Sequence, residues 1–193
     1  RMICQHINRN TYEGEAYIYG HDEVIKIIGE IANLLLLKRE LDLIGDKLHL
    51  VTVEDGEELD IIGHRVRFFD VRSIKTKQFG FTMYYGDGKK LTCCGDEPFH
   101  DCEKEYVYGS EWLLHEAFCL YSQADIFKPY EKNHSTVADA CKLAAELKIK
   151  NLILYHTEDK NLQNRKTLYY NEGREYFSGN LYIPNDLEVF DIL

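Results

Sequence analysis

The sequence predicts an α/β fold in which helices cover a β-sheet, and three observations support this. Short apolar runs of strand length alternate with longer runs whose apolar residues recur with a helical period. The 193-residue chain is 45% hydrophobic with only three prolines, which is typical of a folded chain and not of a disordered one. The strand–helix–strand alternation is clearest in the second half, as in sheets whose strands are joined by helices.

The first half of the chain contains a strand, a long helix and a series of strands. The segment EAYIYG (residues 15–20) is a predicted strand, and a helix is predicted over residues 22–37. Apolar side chains recur in that helix at helical spacing: Val24, Ile27, Ile28, Ile31 and Leu35. Residues 47–73 supply two or three strands, because Asp55-Gly56 and Gly63 interrupt the apolar pattern. Two β-rich arms around Gly86-Asp87-Gly88 predict a hairpin over residues 79–95.

The second half repeats a β–α–β pattern. Strands are predicted over KKLTCC (residues 89–94), EWLLHEAFC (residues 111–119) and LILY (residues 152–155). A helix with Ser135 or Thr136 as its N-cap lies between the last two, and Thr136 and Asp139 have capping-box spacing. The tail, residues 180–193, is predicted to form a turn at Pro184-Asn185-Asp186 and a last strand.

Composition excludes several classes of protein. No run of about 18 apolar residues is present, so no membrane span is predicted, and no signal peptide is recognised. The net charge of −10 argues against broad affinity for nucleic acid, which requires lysine and arginine to meet phosphates. The six cysteines contain no C-x-x-C pair, and buried thiols in a reduced, cytoplasmic protein are expected.

Polar residues follow the predicted strands at the point where each strand ends. Asp96, His115 and His156 each follow or close an apolar strand run, and His134 precedes a helix. Ligands collect at the carboxyl ends of strands in open α/β sheets, so Asp96, His134 and His156 are expected to converge on one edge. The spacings between the four residues are 19, 19 and 22.

Four motifs in this order resemble those of the metallo-β-lactamase superfamily and, within it, of ribonuclease Z and its relatives. They are GDEP (residues 95–98), LLHEAF (residues 113–118), NHST (residues 133–136) and LILYHTED (residues 152–159). Upstream, IYGHDEVI and DGEELDIIGHRVRFFDV also resemble segments of that family, so that the resemblance covers nearly all of the chain. It implies a four-layer αββα sandwich and a single, partial domain over residues 1–193.

The resemblance also implies roles for individual residues. Asp96 would bridge two divalent metal ions, and His156 would ligate the second ion through a neutral imidazole nitrogen. Zinc is expected, with two ions in the complete site, and manganese and iron are the alternatives. His115 is expected to be a packed core histidine.

His134 is expected to contact the scissile phosphate and to act as general acid for the leaving oxygen. Its place at the start of a helix suits this role, because free N–H groups and the positive end of the helix dipole attract phosphate oxygens. Glu116 is expected to orient an active-site histidine, and Ser135 and Thr136 are expected to bind substrate.

The chain departs from the family pattern in two places. It has no H-x-H-x-D-H motif, which supplies most of the metal ligands in the family, and the expectation is that the first strands and metal loop of the domain are missing. Residues 71–81 contain no histidine where the family has one, and Ser73 or Lys75 stands near that place. Asp96 and His156 alone cannot fill the shell of about four donors that zinc takes, so this polypeptide is expected to be a poor catalyst.

The predicted function is that of a metal-dependent hydrolase, a phosphodiesterase that uses metal-activated water. The basic arm with which the family binds transfer RNA is missing, and the chain is acidic. Transfer RNA is therefore doubted as the substrate, and a generic phosphodiester or other ester is favoured. The rival hypothesis is a catalytically inactive, metal-free relative that serves as a binding or oligomerisation module. The substrate, the metal and the oligomeric state, with a homodimer among the options, stay open.

Overall fold

The computed structural model of the protein describes residues 1–192. The chain separates into two compact units, one over Arg1–Glu57 and one that begins at Glu58. The single partial domain over residues 1–193 stays a prediction.

The first unit is a pair of parallel strands with helices. Its elements are α1 (Met2–Asn8), β1 (Ala16–Gly20), α2 (Asp22–Leu35), α3 (Lys38–Leu41) and β2 (Leu48–Thr52). In the register of the two strands Ala16 lies opposite Leu48, and α2 packs against both strands. The Nδ1 atom of His21 accepts a hydrogen bond from the Val24 amide at 3.4 Å and so caps α2. The predicted strand and helix are confirmed, although the helix ends two residues earlier than predicted.

The second unit is built on a seven-stranded sheet whose spatial order follows the chain. The strands are β3 (Glu58–Ile61), β4 (His64–Asp70), β5 (Phe79–Tyr85), β6 (Lys89–Cys93), β7 (Trp112–Glu116), β8 (Asn151–Tyr155) and β9 (Asn180–Tyr182). From β3 to β6 neighbouring strands are antiparallel, and from β6 to β9 they are parallel. The predicted hairpin is confirmed, with Gly86 and Gly88 at positive φ in its turn.

Helices accompany the parallel half of this sheet. They are α4 (Lys104–Val107), α5 (Ala124–Phe127), α6 (Val137–Glu146) and α7 (Arg165–Gly173), with 3₁₀ turns at Asp101–Glu103, Tyr121–Gln123 and Tyr130–Lys132. The main core joins α6 and α7 to β7 and β8 through fully buried side chains such as Leu113, Cys141, Leu152 and Tyr169. This packing holds the start of α6 beside the carboxyl ends of the strands.

The capping box at the start of α6 is confirmed. The Thr136 Oγ1 atom accepts from the Asp139 amide at 3.3 Å, and the Asp139 Oδ2 atom accepts from the Thr136 amide at 3.0 Å. Two orphan donors of the first turn are thereby satisfied, and the residue that precedes the cap is held in a fixed direction.

The predicted strand at the very end of the chain is wrong for the described part of the tail. Strand β9 precedes the turn at Pro184, and residues 183–192 contain no strand. The side chains after the turn are largely exposed, with Leu187 and Val189 open to solvent, so this segment has little of the buried apolar surface that stabilises a strand.

The expected free thiols are confirmed, since all six cysteines are unpaired and four of them are buried. No helix in residues 1–192 combines the length and the apolar character that a membrane crossing requires.

Candidate active site

The carboxyl ends of β6, β7 and β8 meet at one edge of the sheet. These strands are parallel neighbours, so the residues at their ends lie side by side. Asp96 lies in the loop after β6, Glu116 closes β7, and His156 follows β8 directly. The Nε2 atom of His156 lies 3.7 Å from the Oδ2 atom of Asp96, as the predicted convergence requires.

His134 reaches this edge from the segment before α6. An isolated parallel β-bridge between Cys119 and Thr136 joins that segment to the chain that leaves β7. The Phe118 amide also donates to the Ser135 carbonyl at 2.9 Å. The ring centroid of His134 consequently lies 4.7 Å from that of His156 and 5.1 Å from that of Phe118. Asp96, His134 and His156 are therefore together in space.

Two residues of the site have a left-handed backbone. Asn133 has φ of 57° and His156 has φ of 52°. Such conformations are uncommon outside glycine and are unfavourable by on the order of 1 kcal/mol each. Asn and His tolerate them better than β-branched residues do.

Glu116, His134 and His156 form a group that fits a metal ion. Each offers one ligand atom, and the three atoms lie within 4.8 Å of one another. The Glu116 Oε2 and His134 Nδ1 atoms are buried without a hydrogen-bond partner among residues 1–192. Two ligands of one zinc ion lie at most about 4.4 Å apart, since each bond is about 2.0–2.2 Å long. A shift of a few tenths of an ångström is enough, and imidazole with carboxylate suits zinc, manganese and iron.

Burial sets the charge state of the two central side chains. Burial raises the pKa of Glu116 to about 7, against the opposing effect of hydrogen bonds from Ser135 and with a further increase from the charge of Asp96. Burial, together with the positive charge of Lys75 and the neighbouring His156, lowers the pKa of His134 to about 4. His134 is therefore a neutral imidazole at neutral pH, which is the form that binds metals and accepts protons.

Comparison with known proteins finds a similar sequence and similar folds. No family model matches the chain. The ribonuclease Z of Shouchella clausii (strain KSM-K16) is 30% identical over 105 residues, which are 54% of this chain and 32% of that relative, so the match spans about a third of the relative's length. The metallo-β-lactamase fold protein YhfI from Bacillus subtilis superposes with a TM-score of 0.71 at 17% identity, covering 97% of this chain and 70% of YhfI.

The chain is similar in sequence to ribonuclease Z and has the metallo-β-lactamase fold. Two other structures share the fold of this ribonuclease Z-like chain. The short form of human tRNase Z has a TM-score of 0.66 at 18% identity, covering 95% of this chain and 70% of that one. PqqB from Methylobacterium extorquens, solved with Zn²⁺ bound, has a TM-score of 0.62 at 13% identity, covering 92% and 63%. The predicted resemblance to ribonuclease Z and the predicted α/β fold are confirmed.

Lys75 is also a residue of the site. The sequence indicated only that Ser73 or Lys75 stands near the place where the family has a histidine. In the ribonuclease Z-like chain its Nζ atom lies 3.5 Å from the Nε2 atom of His134. The ammonium group can only donate, so Nε2 of His134 accepts, and the ring proton is on Nδ1, which faces Glu116 at 3.6 Å. The lysine side chain is 41% exposed, so its charge is also open to an incoming anion.

Glu97 was missed altogether, although it lies within the GDEP motif. Its carboxylate is 1% exposed and accepts from Ser73 Oγ at 2.8 Å and from Asn133 Nδ2. The Lys75 Nζ atom lies 3.8 Å from the same carboxylate. Glu97 thus connects the segment between β4 and β5 to the segment that carries His134, a link for which the sequence has no local signal.

The other predicted site residues of this ribonuclease Z-like chain lie as follows. The Ser135 amide donates to Glu116 Oε1, and the Ser135 side chain is buried beside His134. The Thr136 hydroxyl donates to Asp139 Oδ2 at 2.6 Å, so it belongs to the helix cap. His115 is 1% exposed and packs within the sheet face, as expected for a core histidine.

Proposed function

We propose that this protein is a metal-dependent hydrolase that acts on a phosphodiester. The observation that carries the proposal is the convergence of Glu116, His134 and His156, whose ligand atoms lie within 4.8 Å of one another. The ribonuclease Z relative supports the substrate class, and the acidic net charge of −10 supports a small or locally recognised substrate over a long nucleic acid. Because of that charge, transfer RNA remains doubted as the substrate.

His156 and Asp96 would hold the metal, and Glu116 lies beside His134, which it would orient. Zinc is the metal we propose, with two ions in the complete site and manganese or iron as substitutes. A bound divalent ion acidifies water and polarises a phosphoryl oxygen. The chain's own side chains would bind the phosphate and donate the proton.

Lys75 and the segment before α6 would receive the phosphate. The lysine supplies a positive charge within 3.5 Å of His134, and Ser135 lies beside His134 at the start of the helix. Thr136 caps the helix and so fixes the direction of this segment. It would contribute to substrate binding by holding the segment in place.

His134 would give its proton to the leaving oxygen, and Glu116 would orient the ring through the Nδ1 atom. In the free protein His134 has a pKa of about 4 and is neutral. A phosphodiester anion beside it favours the protonated form, so substrate binding itself raises the pKa toward the range a general acid needs.

The test is a paired measurement of metal content and hydrolysis. The purified chain is dialysed against zinc-free buffer, its zinc is quantified, and hydrolysis of bis(p-nitrophenyl) phosphate is followed with and without added zinc. Retained zinc and zinc-dependent hydrolysis, both lost in Asp96→Ala, support the proposal. Failure to bind any divalent metal supports the rival, a catalytically inactive, metal-free binding or oligomerisation module. Cleavage of a precursor transfer RNA in the same assay would remove the doubt about that substrate.

The unpaired state of all six cysteines supports a reducing compartment, and we propose the cytoplasm. The homodimer that the sequence left open stays a prediction.

A further inference from the structure

Tyr155 joins the two segments that carry the proposed metal ligands. It is the last residue of β8 and comes directly before His156. Its half-buried side chain reaches the loop after β6, where its hydroxyl donates a hydrogen bond to the carbonyl of Gly95. Gly95 in turn comes directly before Asp96. Tyr155 is therefore linked through its backbone to one proposed ligand and through its side chain to the other.

The hydroxyl of Tyr155 fixes the peptide unit that leads into Asp96. A peptide unit is planar, so the carbonyl of Gly95 and the amide of Asp96 turn together. In residues 1–192 the backbone of residues 95–99 takes part in no backbone–backbone hydrogen bond. The Tyr155 hydroxyl thus supplies a hydrogen bond that this stretch does not obtain from the sheet.

The backbone of Tyr155 fixes the peptide unit that leads into His156. The Ala117 amide donates to the Tyr155 carbonyl at 3.0 Å, and by the same planarity this bond sets the direction of the His156 amide. His156 has φ of 52°, so the chain turns sharply at that residue. The same tyrosine therefore sets the direction from which the chain enters each of the two proposed ligands.

The two ligand side chains depend on this backbone for their separation. The Nε2 atom of His156 lies 3.7 Å from the Oδ2 atom of Asp96, within the roughly 4.4 Å that two ligands of one zinc ion span. The side chains are 39% and 45% exposed, so packing alone does not hold them in place. A change in either backbone segment would alter the distance directly.

We propose that Tyr155 is a positioning residue, which holds Asp96 and His156 at the separation that a shared metal ion requires. The proposal rests on the proposed function for the metal itself. The order that the Tyr155 hydroxyl imposes on the loop after β6 can nevertheless be measured in the metal-free protein.

The first experiment measures that order by ¹⁵N relaxation without metal. Tyr155→Phe removes the hydroxyl and keeps the ring, so we expect the order parameter of the Asp96 amide to fall from about 0.85 to below about 0.6. Tyr85→Phe is the matched control. It removes a hydroxyl that is also buried but has no hydrogen-bond partner among residues 1–192, and it should leave Asp96 ordered. Native order of Asp96 in Tyr155→Phe would overturn the proposal.

The second experiment measures metal binding by the same two variants at a temperature at which both are folded. We expect Tyr155→Phe to lower zinc affinity by at least about tenfold, as loss of a group that orients metal ligands does. The visible absorption bands of bound Co²⁺ should change as well, because they depend on ligand geometry. A role in stability alone would change neither measurement in the folded protein. Native zinc affinity together with a native Co²⁺ spectrum in Tyr155→Phe would contradict the proposal.

Gly95→Ala tests the other end of the hydrogen bond if Tyr155→Phe does not fold. Gly95 has φ of 74°, and a Cβ atom there would lie 3.3 Å from Gln78 Oε1, so the substitution should move the carbonyl away from the Tyr155 hydroxyl. Gly88→Ala is its control, since Gly88 has φ of 79° with nothing within 4 Å of the Cβ position. We expect only Gly95→Ala to lose Asp96 order and zinc affinity. Equal zinc affinities and equal Asp96 order in the two variants would count against the proposal.

Failure of this inference can be told from failure of the proposed function. If the native protein binds no divalent metal and Tyr155→Phe disorders Asp96, the hydrolase proposal fails and the positioning role stands. If the native protein binds zinc and hydrolyses bis(p-nitrophenyl) phosphate, while Tyr155→Phe keeps Asp96 ordered and binds zinc normally, the positioning role fails alone.

Discussion

The Nδ1 atom of His134 lies 3.6 Å from the Oε2 atom of Glu116 at the edge of the sheet. Both atoms are buried, and neither finds a hydrogen-bond partner among residues 1–192. A carboxylate and an imidazole held this way can share a proton or a metal ion, and the two alternatives make different predictions for the same substitutions.

Loss of Asp96 should weaken metal binding. We expect Asp96→Ala to lower zinc affinity by at least about tenfold, because it removes the carboxylate 3.7 Å from His156. Zinc competition with a chromogenic chelator measures the change. Asp87→Ala, in the exposed turn of the β5–β6 hairpin, is the matched control and should bind zinc as the native chain does.

Substitution of His134 should show whether this residue is a general acid or a metal ligand. If His134 donates a proton to the leaving oxygen, His134→Ala lowers kcat by about 10²-fold or more while zinc affinity is nearly retained. A parallel collapse of zinc affinity would identify His134 as a ligand instead. His64→Ala, on β4, controls for loss of an imidazole elsewhere in the same unit.

Lys75 should control the titration of His134. Burial is the largest cause of the low pKa of His134 and the positive charge of Lys75 is the next, so Lys75→Met should raise that pKa from about 4 by part of the shift. NMR titration of the imidazole signals in the metal-free protein measures the change. Lys89→Met, on the hairpin arm, should leave the pKa of His134 where it was. An unaltered His134 titration in Lys75→Met would show that the 3.5 Å contact does not persist in solution.

Glu103 should make the protein less stable as the pH rises. Burial raises the pKa of this carboxyl to about 7, whereas in the unfolded chain it titrates near about 4.3. The folded state therefore holds a proton that the unfolded state has released, and the free energy of unfolding falls between about pH 4.3 and 7. The loss should reach a few kcal/mol at most and should be absent in Glu103→Gln. Urea unfolding at pH 5 and pH 7.5 compares the two proteins, and equal pH dependence would contradict the assignment.

Gly80 should not tolerate a methyl group. A Cβ atom there would lie 2.6 Å from the Cys93 carbonyl oxygen and 2.5 Å from the Phe69 ring, so we expect Gly80→Ala to destabilise the protein by about 1–3 kcal/mol. Gly29→Ala is the contrasting variant, because nothing lies within 4 Å of its Cβ and it is in the interior of α2. It should stabilise by about 0.5–1 kcal/mol, as thermal unfolding can show.

Much of the fold could be predicted from the sequence because the signals are local. Alternating apolar residues and the glycines of the 86–88 turn specify the β5–β6 hairpin within 17 residues of chain. The Thr136–Asp139 capping box specifies where α6 begins, because its hydrogen bonds join residues three apart. Helix α7 was not predicted, since its apolar positions are sparse and it owes its place to packing of Tyr169 against the core.

The sequence by itself determined which polar side chains follow the strands and precede α6, and thereby that Asp96, His134 and His156 were candidates for one site. Only the tertiary structure decided what surrounds them. Glu97 meets Asn133, and Lys75 meets His134, across 36 and 59 residues of chain. Such contacts depend on strand order and on the direction of loops between distant elements. No periodicity or short motif encodes them, because long-range packing and the burial of charge arise only when the whole sheet has formed.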